Sequence, residues 1–295
     1  ALQSGPDGLG RARFGVIFAQ GPLSEWAGRY PRHPYHAPLT VEPTARGVEL
    51  ARGLVQGLMS DHVGLVRELK RADVIAKAPR DVREQLAALE TLRWEDLTAD
   101  ERRGCPPLLF IGDPVSIGDA GLGYLTRLLT STLPVKVIML DGRDGLDARP
   151  EPALVAMAHR TAYVLATSVG YPDHLTAGMH EALAFDGPAF VHIHAPSPRR
   201  QGYPAEQTLA VARAAVHARA HILFRYDPRQ PGVFGQRASL AGNPALDADH
   251  GDVTFTQWAQ GLTRFSGHFT PGADGDEPGT PSARLKAAAT RRIET

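Results

Sequence analysis

Cysteine is almost missing from this chain: Cys105 is the single one in 295 residues. One thiol excludes an internal disulfide and any four-thiolate zinc or iron–sulfur site built from this chain alone. An excess of one charge is missing too, since 32 basic and 32 acidic residues cancel and are mixed along the sequence. Without a dense basic run there is no electrostatic footprint for nucleic acid or an anionic membrane. No apolar run approaches the ~18 residues that a membrane-spanning helix needs. The opening "ALQSGPDGLGRARFGVIF" has neither an initiator Met nor a signal-peptide pattern. It reads as a fragment, or the C-terminal part, of a longer cytoplasmic protein. G-x-S-x-G, H-E-x-x-H and Walker motifs are lacking, and "GDAGLG" does not have the G-x-G-x-x-G spacing of a dinucleotide site.

What is present reads as α/β. Residues 1–44 are rich in Gly, Pro and aromatics and are expected to be irregular. From Ala45 the pattern turns helical: Leu50, Leu54 and Leu58 recur every four residues, with Val48, Ala51 and Val55 widening the stripe. Asp61 is placed to cap a second helix, a third covers about 80–91, and Thr98 to Glu101 has capping-box spacing. This helical segment, an insertion over about 60–103, ends at Gly104. Apolar runs at 108–113, 135–141, 162–170, 189–196 and 221–228 then alternate with helical patterns at 119–131, 151–158, 173–185 and 204–218. Near-continuous apolar strands separated by helices predict a doubly wound, mostly parallel sheet of five or six strands in a domain spanning 45–269. A linker and tail, 270–295, follow.

In such folds ligands bind beyond the C-terminal ends of the strands. That edge carries Asp113, Asp141 and Ser168. In "LLFIGDPVSIGDAGLGYLTRLL" (108–129), Gly112 and Asp113 precede three further glycines. Asp113 has two readings: a hard oxygen ligand for Mg²⁺ beside a diphosphate, or the cap of a strand-to-helix turn. "DGRDGLD" (141–147) places Asp141, Asp144 and Asp147 after the next strand, as a metal loop without EF-hand spacing or as a solvated turn. "HIH" (192–194) sets two imidazoles on one face of a strand, which fits a metal pair less well than a filled strand end.

Several stretches, in order, resemble the C-terminal thiamine-diphosphate-binding domain of pyruvate:ferredoxin (flavodoxin) oxidoreductases. "FIGDP…IGDAGLGYLTRLL" is similar to that family's GDG segment, and "VKVIMLDGRDGLDAR" to its next strand and cofactor loop. "AYVLATSVGYPDHLTAGMHEALAFDGPAFVHIHAPS", "LFRYDPR" and "TFTQWAQGLTRFSGHF" resemble its closing segments, so the likeness covers about 37–270. It implies a sheet of the thiamine-diphosphate-binding type, thiamine diphosphate with Mg²⁺ as cofactors, and 2-oxoacid chemistry coupled to electron transfer. By resemblance Gly112, Asp113, Asp141, Gly142, Asp144 and Asp147 form the cofactor site, with Asp113 on the metal.

The departures are specific. Pro114 replaces the last Gly of the GDG motif, Gly142 replaces a metal-binding Thr, and Asp147 replaces an Asn that reaches the diphosphate. The family's iron–sulfur cysteines have no counterparts, one position being Ser197, so no cluster is expected in this chain. The expected function is a divergent domain of a 2-oxoacid oxidoreductase within a larger chain or complex, inactive in isolation. The alternative is a degenerate homologue with a structural or interaction role. The implied partners are other domains or subunits and a second copy in a homodimer, with Trp258 and Tyr35 as candidate interface anchors.

Overall fold

The computed structural model describes residues 14–27, 39–42, 46–119, 122–142, 151–245, 253–270 and 280–281. In chain order these form β1 (Gly15–Ala19), α1 (Pro22–Ala27), β2 (Leu39–Glu42), α2 (Gly47–Lys77), α3 (Val82–Glu90), α4 (Ala99–Arg103), β3 (Leu108–Gly112), α5 (Leu122–Leu129), β4 (Val135–Asp141), α6 (Pro152–Ala158) and β5 (Tyr163–Ser168). Then come α7 (Pro172–Ala184), β6 (Ala189–His194), α8 (Pro198–Gln201), α9 (Thr208–His217), β7 (Phe224–Tyr226), β8 (Ala238–Ser239), α10 (Phe255–Gln260), β9 (Phe269–Thr270) and β10 (Thr280–Pro281). Eight strands follow the order β2-β1-β3-β4-β6-β5-β7-β8 in a mostly parallel sheet. This is the α/β class that the alternating pattern predicts. No helix of the described residues is long and apolar enough to cross a membrane.

Two compact units divide the chain: 1–137 with 183–188, and 138–182 with 189–295. In the first, β1 pairs in parallel with β2 and β3, Val16 opposite both Leu39 and Leu109. Two strands thus lie within the stretch that composition reads as irregular. "GVIFA" is a run of only five apolar residues, and the Gly and Pro residues around it mask it. Val16, Phe18, Ala27 and Leu39 form a buried cluster there.

Helix α2 is one helix of 31 residues, not two. Asp61 lies in its interior and is exposed, where a carboxylate costs little. Its buried stripe is Val48, Ala51, Val55, Val63 and Val66, whereas Leu50 and Leu54 are 37% and 41% exposed. Leucine spacing therefore indicates the helix but misplaces its inner face by one residue. The Thr98 capping box forms as expected: its hydroxyl accepts the Glu101 N–H at 3.2 Å, and the Glu101 carboxylate accepts the Thr98 N–H at 2.9 Å.

In the second unit every residue of β5 and β6 is buried, which explains their apolar first halves, while Thr167, Ser168, His192 and His194 are buried polar groups at their ends. They run parallel, from Tyr163 opposite Ala189 to Ser168 opposite His194. β7 joins β5 antiparallel and β8 joins β7 antiparallel. Trp258 is 4% exposed and packs with Phe255, Leu262 and Phe265. This removes it as an interface anchor, because the aromatic residues of 254–269 close their own core. Tyr35 lies outside the described residues.

Candidate functional site

Gly112 and Asp113 come together where β3 ends. An added Cβ at Gly112 would sit 2.7 Å from Ser116 Oγ and 3.0 Å from the Ile117 side chain, so the close packing of the next turn on the strand requires glycine. Asp113 Oδ1 accepts the backbone N–H groups of Val115 and Ser116 at 3.1 and 2.9 Å. The Ser116 hydroxyl accepts the Asp113 N–H at 3.1 Å. One carboxylate oxygen is thus engaged in capping a single π-type turn at 115–119.

Asp141 and Gly142 come together where β4 ends, in the second unit. Asp141 is 7% exposed. Its Oδ2 lies 3.1 Å from His192 Nε2 in β6, and His192 Nδ1 lies 3.0 Å from Oε1 of Glu151, the residue that precedes α6. The imidazole is sandwiched between two carboxylates. Burial by itself disfavours its charge, but the hydrogen bond to Asp141 and the attraction of the Asp141 and Glu151 carboxylates outweigh burial and push its pKa up to about 9.

Two more imidazoles adjoin it. The His221 ring meets His192 edge-on at 5.5 Å and stacks on His194 at 4.7 Å. His221 Nε2–H donates to the Thr167 carbonyl at 3.0 Å, and His194 Nδ1 lies 3.3 Å from the Ser168 hydroxyl. Burial, then the electrostatic influence of the neighbouring His194 and His192 imidazoles, hold His221 well below the usual imidazole value. The cluster therefore stores positive charge at His192 and keeps His221 neutral. On the other side of β5, His174 Nδ1 meets Thr167 Oγ1 at 3.0 Å.

Gly142 is enclosed. A Cβ there would stand 3.3 Å from the Ala195 carbonyl and 3.5 Å from Ser197 Cβ, while the Ala195 N–H donates to the Asp141 carbonyl at 2.7 Å. A β-branched side chain at 142 would need the 195–197 segment to shift. Ser197 itself caps α8, its hydroxyl accepting the Arg200 N–H. Asp144 and Asp147 lie outside the described residues. Among the described residues no group of three His, Cys, Asp or Glu side chains has the arrangement of a metal site.

The period-two pattern of "HIH" correctly puts His192 and His194 on one face at a strand end. Glu151 and His221 are missed. Asp141 is 51 positions from His192, and His221 is 54 from its Thr167 partner, distances over which no local pattern extends.

No model of a known protein family matches the chain. A ketoisovalerate oxidoreductase subunit VorB from Pyrococcus abyssi is 33% identical over 73 residues, 25% of this chain and 24% of the relative. A pyruvate synthase subunit PorB from Methanosarcina barkeri is 37% identical over 65 residues, 22% of each chain. The chain thus spans about a quarter of the length of the curated relatives it matches. A solved 2-oxoglutarate:ferredoxin oxidoreductase from Magnetococcus marinus, with 2-oxoglutarate, coenzyme A and succinyl-CoA bound, gives a TM-score of 0.40 at 14% identity, over 69% of this chain and 60% of that one. Fold and sequence together define an α/β protein with relatives among oxidoreductase subunits. Over that quarter of its length the chain is similar to subunits of ketoisovalerate oxidoreductase and pyruvate synthase.

Proposed function

We propose that this chain is a divergent domain of a 2-oxoacid:ferredoxin or flavodoxin oxidoreductase, working inside a larger chain or complex. The observation that carries this reading is the sequence identity of 33% and 37% with VorB and PorB subunits. Other domains or subunits of such an enzyme, and a second copy of this chain, are the proposed partners. The protein is proposed to be cytoplasmic. By resemblance the cofactor would be thiamine diphosphate with Mg²⁺, held near Gly112, Asp113, Asp141, Gly142, Asp144 and Asp147.

A second reading, a non-catalytic homologue serving assembly, has its own support. The described part of that residue set fits a metal-bridged diphosphate poorly. Gly142 brings no side-chain oxygen and its surroundings leave little room for one. Asp141 is turned to His192, and Asp113 gives one oxygen to its own turn. A buried diphosphate needs such contacts to offset its desolvation.

A tagged chain purified with its native partners tests the main reading. The expected result is 2-oxoacid-dependent, coenzyme-A-dependent reduction of a viologen dye by the assembly and none by the isolated chain. An assembly inactive with pyruvate, 2-oxoglutarate and 3-methyl-2-oxobutanoate contradicts it. Calorimetric titration of thiamine diphosphate and Mg²⁺ into the isolated chain separates the two readings. Micromolar binding that disappears in Asp113→Ala supports a working site, and its absence supports the assembly role.

A further inference from the structure

Asp141 is the last residue of β4 and Glu151 immediately precedes α6, so together they bracket residues 142–150. Both carboxylates reach the same imidazole, on opposite nitrogens, at 3.1 and 3.0 Å. His192 is buried within the second unit, its side chain 3% exposed, on a strand buried along its whole length. We propose that His192 is a built-in counter-ion whose imidazole fixes the two ends of the β4–α6 connection. It performs there the charge-neutralising task that a bound cation performs in a metal-held loop.

The chemistry favours this role over catalysis. A carboxylate stands beside each imidazole nitrogen and the ring is buried, which leaves no open face for a substrate. A charge removed from water is retained only when opposite charges or hydrogen bonds compensate it. Two carboxylates against one imidazolium supply that compensation and leave the cluster with net negative charge. The groups facing His192 are Asp141 from β4, Glu151 from the start of α6 and His221 from the segment before β7, with His194 two positions along its own strand. His221 donates its Nε2 proton to the Thr167 carbonyl, so its ring is held edge-on to His192 by the backbone of β5. The inference does not depend on whether thiamine diphosphate binds.

The bracketed segment offers a cleavage point to each of two proteases. Trypsin recognises Arg143, while Arg149 precedes Pro150 and so resists it; thermolysin cuts on the N-terminal side of Leu146. Limited proteolysis of the full 295-residue chain, with fragments identified by mass, therefore reads the state of the connection directly. Cleavage at Lys286 by trypsin and at Leu285 by thermolysin serves as the internal reference. His192→Asn is expected to speed cleavage at Arg143 and Leu146 by about tenfold relative to that reference, as loss of one anchoring network opens a segment locally. Glu151→Ala removes the carboxylate that is one-third exposed, and so spares the core. It is expected to speed the same two cleavages severalfold, and it decides the matter should His192→Asn not fold. Unchanged cleavage at Arg143 and Leu146 in either folded variant overturns the proposal. Equal acceleration at every site also overturns it, because that would make His192 a support of the whole core and not of this connection.

Discussion

Asp113 directly follows β3 and Asp141 ends β4, and the two aspartates do different things. At the end of β3, Asp113 is half-buried and its Oδ1 is engaged by N–H groups two and three residues ahead. At the end of β4, Asp141 is buried and engaged by an imidazole from another strand. In sequence the two look alike: an apolar run, then Asp beside Gly. The first arrangement is local, so its energy is that of a capping interaction. The second joins distant segments inside a low-dielectric environment, where breaking one partner leaves an uncompensated charge. An acidic residue at the C-terminal end of a parallel strand therefore identifies an edge, and its partner determines the role.

The largest expected effect is at Asp141. Asp141→Ala leaves His192 with Glu151 alone and should cost about 3 kcal/mol, measured by urea unfolding. A loss below about 1 kcal/mol would erase the distinction between the two strand ends.

Next comes pH. His192 has a raised pKa in the folded protein, so its contribution is fully present below the unfolded value of 6.5 and is lost as pH rises through about 9. The full shift corresponds to about 3 kcal/mol. His221 has a lowered pKa, so its contribution is present above 6.5 and declines as pH falls below that value. Stability should therefore peak near pH 6.5 and fall on both sides. A plateau from about pH 7 to about pH 9.5 in His192→Asn, with decline in the parent, would assign the alkaline limb to this residue.

The strand-end comparison is sharpened by Gly112→Ala, whose Cβ would press on Ser116 and Ile117 at 2.7–3.0 Å. Overpacking of this kind costs about 1–3 kcal/mol, readable as a lowered urea midpoint at unchanged slope. The smallest effect belongs to Asp113→Ala, which removes a capping acceptor worth about 1 kcal/mol. Asp113→Asn keeps an acceptor oxygen and should cost less. A loss at Asp113 matching that at Asp141 would show that the first carboxylate has a long-range partner after all.

How far the sequence discloses this architecture depends on the range over which each cause acts. β3 to β6 are legible because strands buried along most of their length are largely apolar. The Thr98 capping box is legible because its two partners are three residues apart. β1 and β2 are not, since their five- and four-residue runs sit among Gly and Pro residues that signal irregular chain. The break expected at Asp61 is absent because α2 carries that carboxylate on an exposed face. "HIH" shows that two histidines share a face, but not that Asp141 and Glu151 meet one of them. Their convergence is a property of sheet order. The cofactor resemblance singles out Asp141 without revealing that it meets His192.

The central claim is that His192 holds a positive charge between Asp141 and Glu151. Nuclear magnetic resonance of the imidazole ¹⁵N and ¹³C shifts of His192, followed from about pH 5 to about pH 10.5 and assigned with His192→Asn, tests it most directly. The account predicts that His192 stays protonated through neutral pH and titrates at about 9. A midpoint near the ordinary 6.5 would contradict it.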